Sequence, residues 1–480
     1  MKVLLINPPL YGTGSEPRFP LGLGYIASVL REDGHKVQVV DANALKLPEA
    51  RIEELINAVK FDAVGMTGLI TQFKQVQRTA SIIKNNSGAA VVLGGGLASA
   101  APEVVLKKTA VDVVVLGEGE ETASELFKAL ENGAALQEVK GLCFKRDGGF
   151  FKTAPREPLE NISSLPMPAW DLFPVRHYFN NNVMCMPKRR MSMLTSRGCP
   201  YHCAFCFHGV FGHRHRARTA ENIFKEIALL HEKYGVTGFV FEDDTFVLDK
   251  KRVYGLCGLI TDSRLKLRWT CNARINLVDA DLLAKMKKAG CVEISYGIES
   301  GNQKQLEKIK KGITVEQAYK VVDMTRKAGI ITHGFVMLGL PGETAATIKD
   351  SVSFCKRAGI PAEFTIMTPI PGSRIYQDAV AANMMKRSVE DLVENWGSWL
   401  DKVLVNLTEL PDEKLLEMKR AAELEIFSSY YKRHPGTIIK MLFLELKTNG
   451  FFAFFHRLKK GAKLLIRSLK GLGLRERPTT

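Results

Sequence analysis

Short apolar runs alternate with amphipathic stretches along most of this 480-residue chain, and that alternation constrains the fold more than any other feature. In the first 135 residues the runs are VLLIN 3–7, VQVVD 37–41, AVGMTG 63–68, AVVLGGG 90–96 and VDVVVLGEG 111–119. Apolar runs without polar alternation need both faces covered, as in a parallel sheet. Between them, GLGYIASVLREDG and RIEELINAVK repeat apolar residues at helical spacing. The pattern predicts an α/β domain over 1–138 with a doubly wound, Rossmann-like parallel sheet. Ligands of such sheets bind at the carboxyl ends of the strands, where Asn7, Thr67, Gly94, Gly95, Gly96, Gly117 and Glu118 fall.

A second series begins near residue 191: MSMLTS 191–196, GFVFED 238–243, LRWTCNA 267–273, VEISYGIE 292–299, THGFVMLGL 332–340 and AEFTIMTPI 362–370. Helical stretches such as AENIFKEIALLHEKYG and DADLLAKMKKAG separate them. Six strand–helix units over 189–390 predict a partial (β/α)6 TIM-type barrel with its chemistry at the C-terminal rim. Between the series, 139–188 reads as a hairpin turning at Asp147-Gly148-Gly149, then an extended linker with three prolines in ISSLPMPAWDLFPV. From 391 to 480 the pattern is helical.

The composition, 46% hydrophobic and 25% charged, is that of a globular protein, and no apolar run reaches the roughly 18 residues of a membrane span. The N-terminal apolar stretch stops at Pro8-Pro9, too soon for a signal peptide, so the expected location is the cytoplasm. Of the net charge of +16, a surplus of ten sits in 431–480, where seven Lys and five Arg face two Glu. Within that tail, 451–472 carries an apolar stripe (Phe451, Phe454, Phe455, Leu458, Ala462, Leu465, Leu469, Leu472) with basic residues largely elsewhere. A basic amphipathic helix suits an anionic membrane surface, and the same pattern suits a helix packed on the barrel. Trp and Tyr do not interleave with the basic residues as in a single-strand groove, which argues against nucleic acid.

Nine cysteines are too few and too irregular for a disulfide framework. Six stand singly and read as small buried hydrophobes, Cys185 being the one in a polar setting. The other three, Cys199, Cys203 and Cys206, lie in RGCPYHCAFCFHG, in the loop after the first strand of the second series. Thiolates this close bind soft metals, zinc or iron–sulfur. For zinc, His202, His208, His213 and His215 are nearby, but the spacing is too tight for the usual finger. Three thiols match three irons of a cubane cluster and leave the fourth iron open to a small molecule.

CPYHCAFC, with Phe205 before the last cysteine, resembles the signature of the radical S-adenosylmethionine (SAM) enzymes. The resemblance implies a [4Fe-4S] cluster that cleaves SAM to a 5′-deoxyadenosyl radical, fed by an electron donor such as flavodoxin or ferredoxin. It implies SAM contacts at the rim, from Glu242 and Asp243 in FEDDTF, Arg274 in WTCNAR, Glu299 and Ser300 in SYGIESGN, and Gly339 in GLPGET. Read from the residues alone, each of these equally suits a turn or helix cap.

The α/β domain ahead of the barrel, with NPP, PLGLGYIASVLREDGHKVQVVDA, VVLGGG…PE and GEGE, resembles the cobalamin-binding branch of that family. Two departures stand out: there is no Asp-x-His-x-x-Gly cobalt-ligating motif, and Leu97 occupies a position where many relatives have His. The resemblance implies methylation of an unactivated carbon in a lipid, tetrapyrrole or natural product. A cyclisation or rearrangement without methyl donation is the second chemistry it allows. No residue separates them, and none is assigned as the catalytic group. Methylthiotransferases acting on tRNA fit poorly, because the first cysteine of this chain is Cys143 and a second cluster has no ligands. A membrane-surface iron–sulfur sensor is the reading from another class; it would not cleave SAM.

Overall fold

The computed structural model describes residues 1–10, 17–179, 186–396 and 402–436. The basic stripe of 451–472 and Cys185 lie outside the described residues.

Strands β1 (Lys2–Asn7), β2 (Lys36–Asp41), β3 (Ala63–Thr67), β4 (Ala90–Gly94) and β5 (Val113–Val115) form a parallel sheet in the order β2-β1-β3-β4-β5. Side chains alternate across a strand, so a strand buried on both faces must be apolar throughout. β1 shows this directly. Val3 and Leu5 pack into a layer with Leu23, Ala27 and Leu30 of the helix Leu21–Glu32 and with Leu126 and Phe127 of Glu120–Asn132. Leu4 and Ile6 face the opposite layer, with Ile52 and Ile56 of Glu49–Ala58 and Phe73, Val76 and Ile83 of Phe73–Asn86. The hairpin forms as read, from β6 (Leu142–Arg146) and β7 (Gly149–Lys152), with Asp147 at φ 50° and Gly148 at φ 77° in the left-handed turn that hairpins favour. It pairs antiparallel with β5, however, and so extends the first sheet past residue 138 into the segment read as a separate hairpin and linker.

After β8 (Arg190–Met193) come the two-residue strands β9 (Ser196–Arg197) and β10 (Arg216–Ala217). Then follow β11 (Gly238–Phe241), β12 (Arg268–Ala273), β13 (Cys291–Glu299), β14 (Ile331–Leu338) and β15 (Ala362–Ile366). β8 and β11 to β15 make one open parallel sheet of six strands in sequential order, a partial barrel. Helices Val389–Asn395 and Asp412–Arg433 follow. The first packs back on the N-terminal domain, with Val393 in its core and Glu390 and Glu394 paired to Lys107 and Lys108 at 3.1 and 3.0 Å.

The linker joins the domains by packing rather than by length. Phe19 packs against Trp170, tilted, and edge-to-face against Phe173 and Tyr178, with ring centroids 4.0, 4.8 and 5.6 Å apart. Trp170 donates to Glu226 of the barrel at 3.1 Å, while the Tyr178 hydroxyl donates to Asp41 of β2 at 2.5 Å. The apolar core of the helix layer is continuous with that of the barrel through these rings.

Candidate active site

The antiparallel pairing of β9 with β10 closes the base of the loop 198–215, which carries the three cysteines. Gly198 opens this loop at φ 79°, and a Cβ there would collide with the Arg214 carbonyl. At its middle the loop is held from two sides: Ala204 donates to the Ile309 carbonyl at 2.9 Å and accepts from the Ile375 amide at 2.8 Å. Cys203 is buried, and its sulfur accepts from Arg274 Nη1 at 3.2 Å. The hydrogen bond from Cys206, helped by Lys311 and Arg274, pulls the Cys203 thiol down to about 6. The same bond, with burial, holds the Cys206 thiol well up. Cys199 lies 3.9 Å from the Thr245 hydroxyl.

Around these thiols the strand ends converge. The Arg274 guanidinium stacks 3.6 Å above the Tyr201 ring and donates through Nη2 to the Lys311 carbonyl. Lys311 reaches Glu299 at 2.7 Å and lies 5.8 Å over the Phe205 ring. Two backbone features make room for that pair. β13 bulges between Gly297 and Glu299, which puts Glu299 at φ 62°, a conformation that costs a non-glycine residue on the order of 1 kcal/mol or more. Gly297 has no side chain, and a Cβ there would lie 2.6 Å from Lys311 Nζ.

The other rim residues divide by what already binds them. Asp243 is wholly buried and accepts from the Thr195 amide at 2.6 Å, the Thr195 hydroxyl at 2.5 Å and the Ser196 hydroxyl at 2.8 Å, so it braces the entry to the cysteine loop. Ser300 is engaged with Ser351 at 3.2 Å and accepts from the Asn302 amide at 3.1 Å, at the start of helix Gln303–Lys308. Gly339, at φ 84°, faces Leu415 of the C-terminal helix. Glu242 accepts from Ser192 at 2.8 Å and pairs with Arg18 of the N-terminal domain at 3.0 Å. Beside them, Asp244 has no side-chain hydrogen bond among the described residues. It is exposed yet ringed by protein, and desolvation together with the Asp243 carboxylate pushes its carboxyl up.

Glu343 is 1% exposed, and burial pushes its carboxyl up to about 7, against the opposing effect of the Gly339 and Leu340 amides that donate to Oε2 at 2.6 and 3.2 Å. Its Oε1 is buried without a partner. A folded-state value raised above the ordinary 4.5 means the native state holds its proton more tightly than the unfolded chain does. Stability should therefore fall as pH rises from about 4.5 to about 7, by on the order of 3 kcal/mol. Urea unfolding of wild type and Glu343→Gln at pH 5 and pH 8 checks this. The variant should gain on wild type at the higher pH, and an equal difference at both would refute the assignment.

In the N-terminal domain the strand-end residues also divide. Asn7 is buried and donates to Asp41 at 2.9 Å, so it braces β1 against β2. Gly95 takes φ 93°, and a Cβ there would lie 3.0 Å from the Thr67 hydroxyl, which places Thr67 directly beneath this loop. At Gly94 and Gly96 a Cβ would meet nothing nearer than Val115 and Leu69, each at 4.0 Å. Leu69 itself is 56% exposed, whereas Leu97 is fully buried in the core. Gly117, at φ 72°, borders the cysteine loop: a Cβ on it would lie 3.7 Å from the Val210 carbonyl.

Glu118 and Glu120 reach across the domain boundary into a buried ion cluster. Glu118 takes Arg197 at 2.9 Å and pairs with Arg216, and Glu120 takes Arg197 at 2.5 Å. Arg197 stands two residues before Cys199, so the first sheet and the cysteine loop are tied at one point. Sequence reasoning singled out Glu118 but missed Arg197 and Arg216, whose partners lie about 80 residues or more away along the chain. It also missed Lys311, which nothing but backbone geometry separates from its neighbour: Lys310 takes φ 53°, leaving one lysine exposed and the next buried.

These residues fit the groups that the motifs imply. Three thiols on one loop, one of them drawn toward thiolate beside a guanidinium and an ammonium, suit an anionic [4Fe-4S] cluster. An open edge of glycines with an exposed leucine suits the broad, apolar rim of a corrin.

Comparison with known proteins agrees. The radical SAM superfamily model matches residues 193–355 and the B12 binding domain model matches 15–127. An uncharacterized methyltransferase of Pyrococcus horikoshii is 34% identical over 456 residues, which cover 92% of this chain and 95% of that protein. The anaerobic magnesium-protoporphyrin IX monomethyl ester cyclase of Rubrivivax gelatinosus is 28% identical, over 79% of this chain and 70% of its own length. Among solved structures, the radical SAM methyltransferase TsrM from Kitasatospora setae, with cobalamin and a [4Fe-4S] cluster bound, shares the fold with a TM-score of 0.68. The match is at 20% identity, over 81% of this chain and 76% of that one. A B12-binding sheet tied by buried ion pairs to the cysteine loop of a six-stranded radical SAM barrel identifies the chain as a member of the cobalamin-dependent radical SAM enzymes, whose cofactors are a [4Fe-4S] cluster, SAM and cobalamin.

Proposed function

We propose that the protein methylates an unactivated carbon of a small lipid-like, tetrapyrrole or natural-product substrate. The observation that carries this reading is the direct apposition of the two sites. Gly117, just past the carboxyl end of β5 in the first sheet, borders Val210 of the cysteine loop, with a Cβ on it 3.7 Å from the Val210 carbonyl. When bound, the cluster and SAM supply a 5′-deoxyadenosyl radical that removes hydrogen from carbon, and cobalamin supplies the methyl group.

The chain supplies placement and charge. Cys199, Cys203 and Cys206 hold the cluster. Arg274, 3.2 Å from the Cys203 sulfur, and Lys311, above the Phe205 ring, would counter its negative charge. Asp244, which has no partner of its own among the described residues, is available to the ammonium of SAM, with Glu299 and Glu242 as further acidic rim groups. Asp243 and Ser300 fix the loops on which these groups stand. In the N-terminal domain Gly94, Gly95, Gly96 and Gly117 let backbone approach the corrin, with Thr67 supporting the loop from below.

The test is product analysis under anaerobic conditions with rebuilt cluster, cobalamin, reductant and SAM carrying a deuterated methyl group. Methylation requires S-adenosylhomocysteine and 5′-deoxyadenosine together, with label in the organic product. 5′-Deoxyadenosine without S-adenosylhomocysteine or label would overturn methylation in favour of cyclisation or rearrangement. Neither product would leave the sensor reading.

A further inference from the structure

The cluster must receive single electrons, and one face of the described structure lies close to Cys203. Arg274 bridges Cys203 to the backbone of the turn Lys310-Lys311-Gly312: Nη1 lies 3.2 Å from the sulfur and Nη2 bonds the Lys311 carbonyl. Gly312 in the same turn is exposed, and a Cβ there would lie 3.8 Å from Arg274 Nη2. The Arg274 guanidinium thus spans from the exposed Gly312 turn to the Cys203 sulfur. The helix Gln303–Lys308 ends at Ile309, whose carbonyl holds Ala204 between the cysteines at 2.9 Å. Any protein seated on this helix and turn lies against the cysteine loop.

The chemistry of the patch selects its occupant. Lys304, Lys308 and Lys310 are all exposed, and Glu307, itself bonded to Gln303 at 3.1 Å, is the acidic residue among them. Lys308 is steadied over the Gly342 turn, 3.5 Å from the Pro341 carbonyl. Beside the lysines runs an open groove of about 500 Å³ lined by Leu306, Glu307, Lys310, Gly312, Ile313 and Gln317 among others. Lys310 and Lys311 divide the work: the left-handed backbone at Lys310 turns one ammonium outward, while its neighbour is buried on Glu299.

We propose that this face, Lys304, Lys308 and Lys310 with the adjoining groove, docks an acidic one-electron carrier protein, and that electrons enter the cluster past Arg274. The proposal rests on the radical SAM reading above. One electron leaves the reduced carrier, which is oxidised by one electron, and passes to the cluster; no bond or proton changes hands at this surface. Apposed opposite charges would speed encounter and make it salt-dependent.

The test uses the cluster-loaded, cobalamin-bound enzyme with an acidic flavodoxin as probe, reading binding by titration calorimetry and SAM cleavage separately. The triple variant Lys304→Glu, Lys308→Glu, Lys310→Glu should bind flavodoxin at least ~10-fold more weakly and lose the salt dependence of binding. Flavodoxin-driven cleavage should fall with it, while cleavage driven by dithionite stays within twofold of wild type. Unchanged flavodoxin affinity would overturn the docking face, whatever else binds there, a second copy or nucleic acid included. An equal loss with dithionite would also overturn it, by showing a structural effect; the neutral Gln triple variant then decides whether charge or fold was lost. Failure of wild type to cleave SAM with dithionite would instead count against the radical SAM reading.

Discussion

Arg197→Met should destabilise the protein by about 3–5 kcal/mol, the usual result of stranding a buried carboxylate. Arg197 is 3% exposed and holds Glu118 and Glu120 at 2.9 and 2.5 Å, with the rings of Tyr25 and Phe211 against its guanidinium at 5.4 and 5.3 Å. Methionine restores the volume and none of the charge. Glu118 retains Arg216, but among the described residues Glu120 has no other cation bonded to it. Adding Glu120→Gln to the Arg197 variant should therefore recover part of the loss, because the stranded charge goes with it. Denaturant unfolding of both variants checks this. A cost under about 1 kcal/mol for the single change would show that the cluster is only incidental to the union of the domains. The same variant should bind less iron per chain, since Arg197 opens the strand that leads into Gly198 and Cys199.

Cys203→Ala should abolish the cluster, with loss of its visible absorption and of bound iron, and lower SAM cleavage by more than ~100-fold. Arg274→Met separates ligation from support. All three thiols remain, so the cluster should still assemble, but the donor at 3.2 Å from Cys203 is gone and the charge beside the cluster falls by one. Cleavage should drop by ~10–100-fold, the range seen when groups behind metal ligands are removed. Iron analysis with the cleavage rate distinguishes the two. Loss of iron in Arg274→Met to the level of Cys203→Ala would make Arg274 a determinant of assembly instead. Cys291→Ala is the control, since Cys291 is wholly buried in the barrel core and should leave the iron in place.

Strand positions were legible because apolar runs and helical spacing record burial locally: all eleven expected strands form within a few residues of their predicted bounds. The cysteine loop was equally legible as a motif, since three thiols within eight residues need no tertiary contact to be recognised. The site around it was legible only in part. Asp243 and Asp244 are adjacent and chemically alike, yet one is consumed by Thr195 and Ser196 and the other has no side-chain hydrogen bond among the described residues. Which carboxylate is free depends on where a neighbouring strand ends, and no pattern within FEDDTF encodes that.

By itself, then, the sequence determined two α/β domains, their order and the three thiols, because each follows from local periodicity or short-range spacing. Only the tertiary structure decided that the hairpin at 142–152 belongs to the first sheet, that Glu118 and Glu120 serve Arg197 and Arg216, and that Lys311 turns inward to Glu299. Buried charges demand partners, and the partners come from whichever segment the fold brings alongside. For Arg197 that segment lies 77 residues back along the chain, a distance over which local pattern carries no information.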